Sequence, residues 1–123
     1  MAGGFLSARE LGRAGFGHAE SFDYSETFFR KIPGLKGKTI VHHAVEQQNL
    51  IRYPKAVTKA QIHSLENLRG IPIDLNSDIH LSKIRRRWNS FYRANPNPST
   101  RQLLEMAEKV DNKFGHLFTP IIK

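Results

Sequence analysis

The 123-residue sequence contains no cysteine. Disulfide bonds and cysteine-based zinc sites are therefore excluded, and a metal ion would need His, Asn, Asp or Glu as ligands. The sequence also lacks an apolar run that approaches the ~20 residues needed to span a bilayer. Near the N-terminus, no apolar segment of signal-peptide length precedes a cleavage site. We therefore expect no membrane partner and no secretory route encoded in this sequence.

Acidic residues are scarce: 11 Asp and Glu accompany 19 Lys and Arg, which gives a formal net charge of +8 at pH 7. None of them occurs between Ile79 and Leu104, a segment rich in Lys and Arg. A small basic domain attracts nucleic acid because its cations displace counterions from phosphates. An anionic membrane surface or an acidic protein could use the same charge, so composition alone leaves these partners open.

The length fits one compact domain. Glycines punctuate residues 1–37, which we interpret as an N-terminal arm with short helices over about 7–14 and 24–32. Residues 38–123 would then form the main domain. The aromatic side chains of the second arm helix are expected to anchor it to the core.

Periodicity predicts an α+β fold that is mainly helical. β-Branched residues favour a strand over 38–45, and a second short strand is expected over 70–73. Helices are expected over 47–53, from the capping box at Thr58 to residues 67–70, over 75–94, and from Ser99 to Gly115. In the helix over 75–94, apolar side chains recur at three- and four-residue steps and predict its buried face: Leu81, Ile84, Trp88, Phe91 and Tyr92.

Three histidines and two asparagines form the pattern that carries chemistry. Adjacent strand residues point to opposite faces, so His42 and His43 can share a site only where the strand ends or bends. Asn76 and His80 are four residues apart and would lie on one helix face. Asn67 lies between these pairs, and its amide could bond main chain. Phosphodiester hydrolysis needs a base, a divalent cation beside the phosphate, and a group that orients the base.

A His doublet, then an Asn, then two polar positions four apart on a helix resembles the motif of HNH nucleases. The resemblance covers about residues 38–92. It implies a ββα-metal (His-Me finger) core, formed by a short antiparallel hairpin and a helix, with flanking helices. It also implies that His42 is a metal ligand, His43 the general base and Asn67 the middle Asn. Asn76 and His80 would be the helical ligands, and Asn76 stands where many relatives have His.

Three segments resemble the C-terminal toxin domains of Rhs-type proteins: 42–48, 64–72 and 88–92. Ala2-Gly3-Gly4 is similar to the stretch that follows the self-cleavage site of an Rhs shell. This resemblance implies an antibacterial effector released from a parent Rhs shell and delivered into the cytoplasm of a target bacterium. It also implies an acidic immunity protein that protects the producing cell.

Several assignments have alternatives. Asn67 could instead end a helix before Gly70, and Asn76 could cap one. Glu46 either orients a histidine or is a solvated carboxylate. We interpret His18, His63 and His116 as surface or packing residues.

A basic run follows His80 on the same predicted helix. Arg87 lies seven residues past His80, about two turns along the same face, and could contact a phosphate. The candidate nucleic-acid-binding residues are Lys83, Arg86, Arg87 and Arg93. Trp88, Phe91 and Tyr92 are interpreted as core residues rather than stacking platforms for bases.

The leading hypothesis is a metal-dependent DNase with little sequence specificity, because no base-reading motif is present. Imidazole ligands suit Zn²⁺ or Ni²⁺, and an open, hydrated site could use Mg²⁺ or Mn²⁺. The alternatives are a metal-independent RNase that uses paired histidines, a non-catalytic basic module that binds nucleic acid or an acidic protein, and a structural fragment of a secreted shell.

Overall fold

The computed structural model describes residues 14–122. In this part of the chain the fold is α+β and mainly helical, with one two-stranded antiparallel sheet. The helices are α1 (Tyr24–Lys31), α2 (Asn49–Arg52), α3 (Lys59–Ile62), α4 (Asn76–Asp78), α5 (Arg85–Ala94) and α6 (Thr100–Phe114). A π-helical segment (Ile79–Ile84) joins α4 to α5. We call residues 76–94 the long helix.

The sheet pairs β1 (Thr39–His43) with β2 (Leu68–Pro72). Thr39 lies opposite Pro72, and His43 lies opposite Leu68. Both strands were predicted, but β2 begins two residues earlier than expected. The long helix follows β2 after a single 3₁₀ turn, whereas α2, α3 and another 3₁₀ turn lie between β1 and β2.

Both predicted capping boxes are present. The Thr58 side chain accepts a hydrogen bond from the Gln61 amide at the start of α3, and Ser99 accepts one from Gln102 at the start of α6. The prediction that the first of these helices continues to residues 67–70 is wrong. It ends at Ile62, and the chain turns before a 3₁₀ turn over Leu65–Asn67.

The predicted buried face of the long helix needs one correction. Trp88 and Tyr92 are buried, as expected, and Phe91 packs against the core, whereas Leu81 is 51% exposed. Leu81 lies in the π-segment, where each turn is wider than in an α-helix. Residues within this segment and after it are therefore rotated relative to each other about the helix axis, compared with a regular α-helix. For this reason, three- and four-residue spacing does not place Leu81 on the same face as the buried residues of α5.

A buried ion pair connects the sheet to α6. The Arg69 guanidinium in β2 donates to both carboxylate oxygens of Asp111, from Nε at 3.1 Å and from Nη2 at 2.9 Å. Both side chains are almost fully buried. Arg69 lies opposite His42 in the sheet register. The Arg69–Asp111 ion pair therefore holds β2, the strand next to the His doublet, against α6.

The helix expected over 24–32 is confirmed as α1. The helix expected over 7–14 and the Ala2-Gly3-Gly4 stretch lie outside the described residues, apart from Ala14. The division into an arm and a main domain stays a prediction. Across residues 14–122, no helix is both long enough and apolar enough to cross a membrane.

Candidate histidine site

The His doublet lies at the end of β1, as predicted. His42 is 2% exposed and His43 is 5% exposed, and both border one pocket of about 390 Å³. We call it the histidine pocket. Its other polar or aromatic lining residues include Tyr24, Glu46, Gln47, Gln48, Asn76, His80 and Arg85. The fold thus brings the His doublet together with Asn76 and His80 of the long helix.

His42 and His80 face each other across the pocket, with ring centroids 4.8 Å apart. The Nε2 atom of His42 is buried and has no hydrogen-bond partner among the described residues. Nδ1 of His80 lies 3.1 Å from the amide oxygen of Asn76. An oxygen accepts, so this contact places a proton on Nδ1 of His80 and leaves Nε2 as the nitrogen with a free lone pair.

Asn76 is not the N-cap of the long helix. It is the first residue of α4, no side chain caps that helix, and the Asn76 amide instead holds the His80 ring. The alternative interpretation as an N-cap is therefore wrong. Asn76 acts on His80 directly, and its oxygen keeps a second lone pair.

Burial favours the uncharged form of both facing histidines. Burial lowers the pKa of His42 well below its usual value, and the nearby charges of His80 and Arg69 lower it further. Burial also lowers the pKa of His80, with a smaller effect from Arg85. Neutral imidazoles with free lone pairs are the form that binds a metal ion.

His43 has a partner that the sequence analysis missed. Its Nε2 lies 3.1 Å from Nδ1 of His63, which is 7% exposed. Burial lowers the pKa of His43 to about 3, with smaller effects from His63 and His80. The prediction that His63 is a surface or packing residue is therefore incomplete. No spacing rule connects residues twenty positions apart in different elements, so the sequence carried no signal for this pair.

Asn67 is 1% exposed and binds main chain in three places. Its oxygen accepts from the Val45 amide at 2.9 Å, and its nitrogen donates to the carbonyls of Val45 (3.0 Å) and Ile62 (2.9 Å). Val45 follows His43 by two positions, and Ile62 precedes His63. The predicted main-chain role of Asn67 is confirmed: one amide holds together the two segments that carry His43 and His63.

Glu46 forms the pocket wall next to α5 and bonds no histidine. One of its carboxylate oxygens accepts from the Tyr92 hydroxyl (2.8 Å) and from Gln48 (2.7 Å). Asn49 in turn donates to the Tyr92 hydroxyl at 2.9 Å. Burial raises the pKa of Glu46, and burial together with the Glu46 charge raises the pKa of Tyr92. Neither alternative for Glu46 fits, since it is neither bound to a histidine nor fully solvated.

The basic residues divide between two surfaces. Arg85, five residues after His80, borders the histidine pocket. Arg87 instead lies over the ring of Phe114 on α6, with its guanidinium carbon 5.6 Å from the ring centroid. The expectation that Arg87 shares a face with His80 is therefore wrong. Hydrogen bonds in a π-helix join residues five positions apart, so Arg85 lies on the same side of the helix as His80. Arg87 then lies on the side that packs against α6.

A second depression of about 800 Å³ lies between α5 and α6. We call it the helix groove. Five basic side chains surround it: Lys83, Arg86, Arg87, Lys109 and Lys113. Its apolar lining comes from Phe91, Met106, Val110 and Phe114. The candidate nucleic-acid-binding residues Lys83, Arg86 and Arg87 thus border the groove, whereas Arg93 bonds Ser90 and borders neither depression.

The residues of the histidine pocket suit a divalent ion. The buried, unpartnered Nε2 of His42 and the free Nε2 of His80 belong to facing rings, and the Asn76 oxygen is adjacent. Among the described residues, no group of three or more His, Cys, Asp or Glu side chains is placed to hold a metal ion. A site here would therefore use two imidazoles, with an amide oxygen and water completing the set.

The comparisons with known proteins found no family model, no curated protein and no solved structure that matches the chain.

Proposed function

We propose that this protein is a divalent-metal-dependent endonuclease that hydrolyses DNA phosphodiester bonds with little sequence specificity. The observation that carries the proposal is the histidine pocket, in which His43 lies beside the facing rings of His42 and His80. This arrangement offers a base and two metal-binding nitrogens within one small cavity. The chain order of its residues, with the doublet on β1, Asn67 just before β2 and the Asn76/His80 pair on the long helix, supports the resemblance to the HNH, or ββα-metal, motif.

His43 is the proposed general base. Its ring is neutral at pH 7, so a lone pair is free to accept a proton from water. A phosphodiester in the pocket would raise its pKa, because a nearby negative charge stabilises the imidazolium. A bound divalent cation would act in the opposite direction, so the phosphate is the group that favours proton acceptance by His43.

His42 and His80 are the proposed metal ligands, each through Nε2. Asn76 holds His80 in the tautomer that leaves Nε2 free, and its oxygen can complete the ligand set. A bound Zn²⁺, Ni²⁺, Mg²⁺ or Mn²⁺ would stabilise negative charge on the phosphate and on the leaving oxygen. Arg85, at the pocket edge, can contact the same phosphate.

The metal-independent RNase alternative fits the pocket less well. That reaction needs one histidine protonated as a general acid and another neutral as a base. Burial lowers the pKa of His42, His43 and His80, which disfavours the protonated histidine that such a reaction needs. A divalent ion removes the need for a protonated histidine, which favours the metal-dependent mechanism.

We further propose that the nuclease is an antibacterial toxin, released from an Rhs shell and active in the cytoplasm of a target bacterium. The support is the resemblance of three segments to such toxins. An acidic immunity protein would then bind the basic surface, with Lys83, Arg86, Arg87 and Arg93 as candidate contacts for this protein or for DNA. A stable complex with an acidic protein encoded beside the toxin, at moderate salt, is the expected result.

The test of the activity uses the whole chain with plasmid DNA and with RNA. Each substrate is incubated with Mg²⁺, Mn²⁺, Ni²⁺, Zn²⁺ or EDTA. We expect DNA cleavage with at least one ion and none with EDTA. Cleavage that survives EDTA would contradict the metal-dependent mechanism, and cleavage of RNA alone would contradict the choice of substrate.

His43→Ala is the matched variant, with His116→Ala as its control because His116 is exposed and does not line the histidine pocket. We expect His43→Ala to reduce the cleavage rate by about 10²- to 10⁴-fold, the usual contribution of a general base. His116→Ala should cleave like the wild type. A His43→Ala protein that cleaves at the wild-type rate would exclude His43 as the base.

A further inference from the structure

We propose that His63 is a positioning residue that fixes the tautomer of His43, a role that rests on the proposed nuclease function. In this arrangement Nε2–H of His43 donates to Nδ1 of His63. The Nδ1 atom of His43 is then unprotonated and directed to the reaction. His63 itself contacts neither substrate nor metal ion.

The contact geometry supports this pairing. The two nitrogens are 3.1 Å apart, within hydrogen-bond range, and both rings are buried. Only one proton can lie between them. If it belonged to Nδ1 of His63, neutral His43 would carry its own proton on Nδ1 and have no free lone pair toward a water molecule. A catalytic His43 therefore requires His63 as the acceptor.

The fold holds both rings in place. The Tyr24 ring stacks on His63 at 6° and 5.5 Å, and meets His43 edge-on at 4.4 Å. The centroid of the Phe22 ring lies 5.8 Å from that of His63. Asn67 fixes the two chain segments from the other direction, through Val45 and Ile62. Helix α1 and one buried amide thus bring together residues that are far apart in sequence.

The proposed step moves one proton from water to His43. A water O–H bond breaks, its proton binds Nδ1 of His43, and the water oxygen forms the new bond to phosphorus. The bond from phosphorus to the leaving oxygen breaks, and that oxygen keeps the electron pair until it takes up a proton from solvent. His43 then carries two N–H groups and one positive charge. The hydrogen bond from Nε2–H to His63 strengthens at that moment, because its donor is now charged.

The experiment compares two substitutions at one position. His63→Phe keeps an aromatic ring against Tyr24 but removes both nitrogens. His63→Asn keeps a polar atom near the position of Nδ1. We expect His63→Phe to lower kcat by about 10- to 100-fold, the usual effect of losing a partner of an active-site imidazole. KM should stay within about twofold, since His63 does not touch substrate, and His63→Asn should recover most of the lost kcat. His116→Phe is the control.

A second measurement needs no activity. Two-bond ¹H–¹⁵N spectra of the metal-free protein separate the Nε2–H and Nδ1–H tautomers of each histidine. We expect His43 to be the Nε2–H tautomer in the wild type and in His63→Asn, and to lose this preference in His63→Phe.

Three results would overturn the role of His63: an Nδ1–H tautomer of His43 in the wild type, a wild-type kcat in His63→Phe, or equal losses in His63→Phe and His63→Asn. The last result would mean that His63 acts only through packing. If the wild type cleaves nothing with any ion, the nuclease proposal fails by itself, and the spectra still decide whether His63 sets the tautomer of His43.

Discussion

The histidine pocket and the helix groove border the same long helix, yet they differ in their chemistry. The histidine pocket contains buried, neutral imidazoles and a carboxylate bound to a tyrosine hydroxyl. The helix groove has an apolar lining and five cationic side chains around it. Buried neutral imidazoles are suited to acid–base and metal chemistry, whereas exposed cations are suited to holding a polyanion or an acidic partner.

The π-segment accounts for this division. His80 lies within it and borders the pocket, as does Arg85 just after it. Arg86 and Arg87 follow and border the groove. A continuous α-helix would have kept Arg87 close to the face of His80. One wide turn thus separates the proposed chemistry from the proposed binding surface, and the two can be altered independently.

The largest expected effect comes from breaking the ion pair that holds the sheet against α6. Asp111→Asn leaves the buried Arg69 guanidinium without a counter-charge. We expect the free energy of unfolding to fall by about 3–5 kcal/mol, measured by urea denaturation. The loss should affect both regions, since Arg69 lies opposite His42 and Asp111 lies on the helix that borders the groove.

The matched control is Glu105→Gln on the same helix. Glu105 pairs with Arg101 at 3.9 Å, and both side chains are exposed. An exposed pair of this kind contributes about 0–1 kcal/mol. Equal small losses in the two variants would show that the buried pair does not hold the two regions together.

The next effect is a loss of stability in acid that originates in the pocket. His42 and His43 have lower pKa values in the folded chain than in the unfolded chain, so the unfolded state binds protons first as the pH falls below about 6.5. The free energy of unfolding is therefore highest above this pH and falls below it. At pH 5.5, one unit below the ordinary pKa of histidine, each buried neutral ring costs on the order of 1 kcal/mol.

Urea denaturation at pH 7.5 and 5.5 measures this loss. Glu46 acts in the opposite direction, because its raised pKa favours the folded state in acid. His116→Ala should show the same pH dependence as the wild type, since that ring is exposed. A free energy of unfolding that stays constant between the two pH values would contradict the burial of neutral histidines.

The smallest effect concerns the helix groove. Replacing Arg86 and Lys109 by Ala should weaken DNA binding and reduce the slope of log K against log salt by about one for each phosphate that the variant no longer neutralises. The value of kcat at saturating DNA should not change, because neither residue borders the histidine pocket. Fluorescence anisotropy at several salt concentrations measures the binding.

Arg30→Ala is the control for that variant, since Arg30 is an exposed arginine on α1, paired with Glu26. Unchanged DNA affinity in the double variant would exclude the groove as a DNA-binding surface. A reduced kcat would show that pocket and groove are not separable.

Much of the architecture followed from local patterns. Both strands, both capping boxes and the bounds of α1 and α6 were predictable, because capping and periodicity act over a few residues. The position of the His doublet at a strand end followed from strand geometry. Three predictions were wrong for the same reason. The end of α3, the exposure of Leu81 and the direction of Arg87 each depend on turns that deviate from a regular α-helix.

The sequence by itself determined the identity and order of the groups that the proposed site uses: a His doublet, a buried Asn and an i, i+4 pair on a helix. Only the tertiary structure decided how they pair. It placed His63 on His43, brought the ring of His42 opposite that of His80, and left Nε2 of His42 buried without a partner among the described residues. These contacts join residues from separate elements, and their distances depend on how β1, α1 and the long helix pack, which no local pattern encodes.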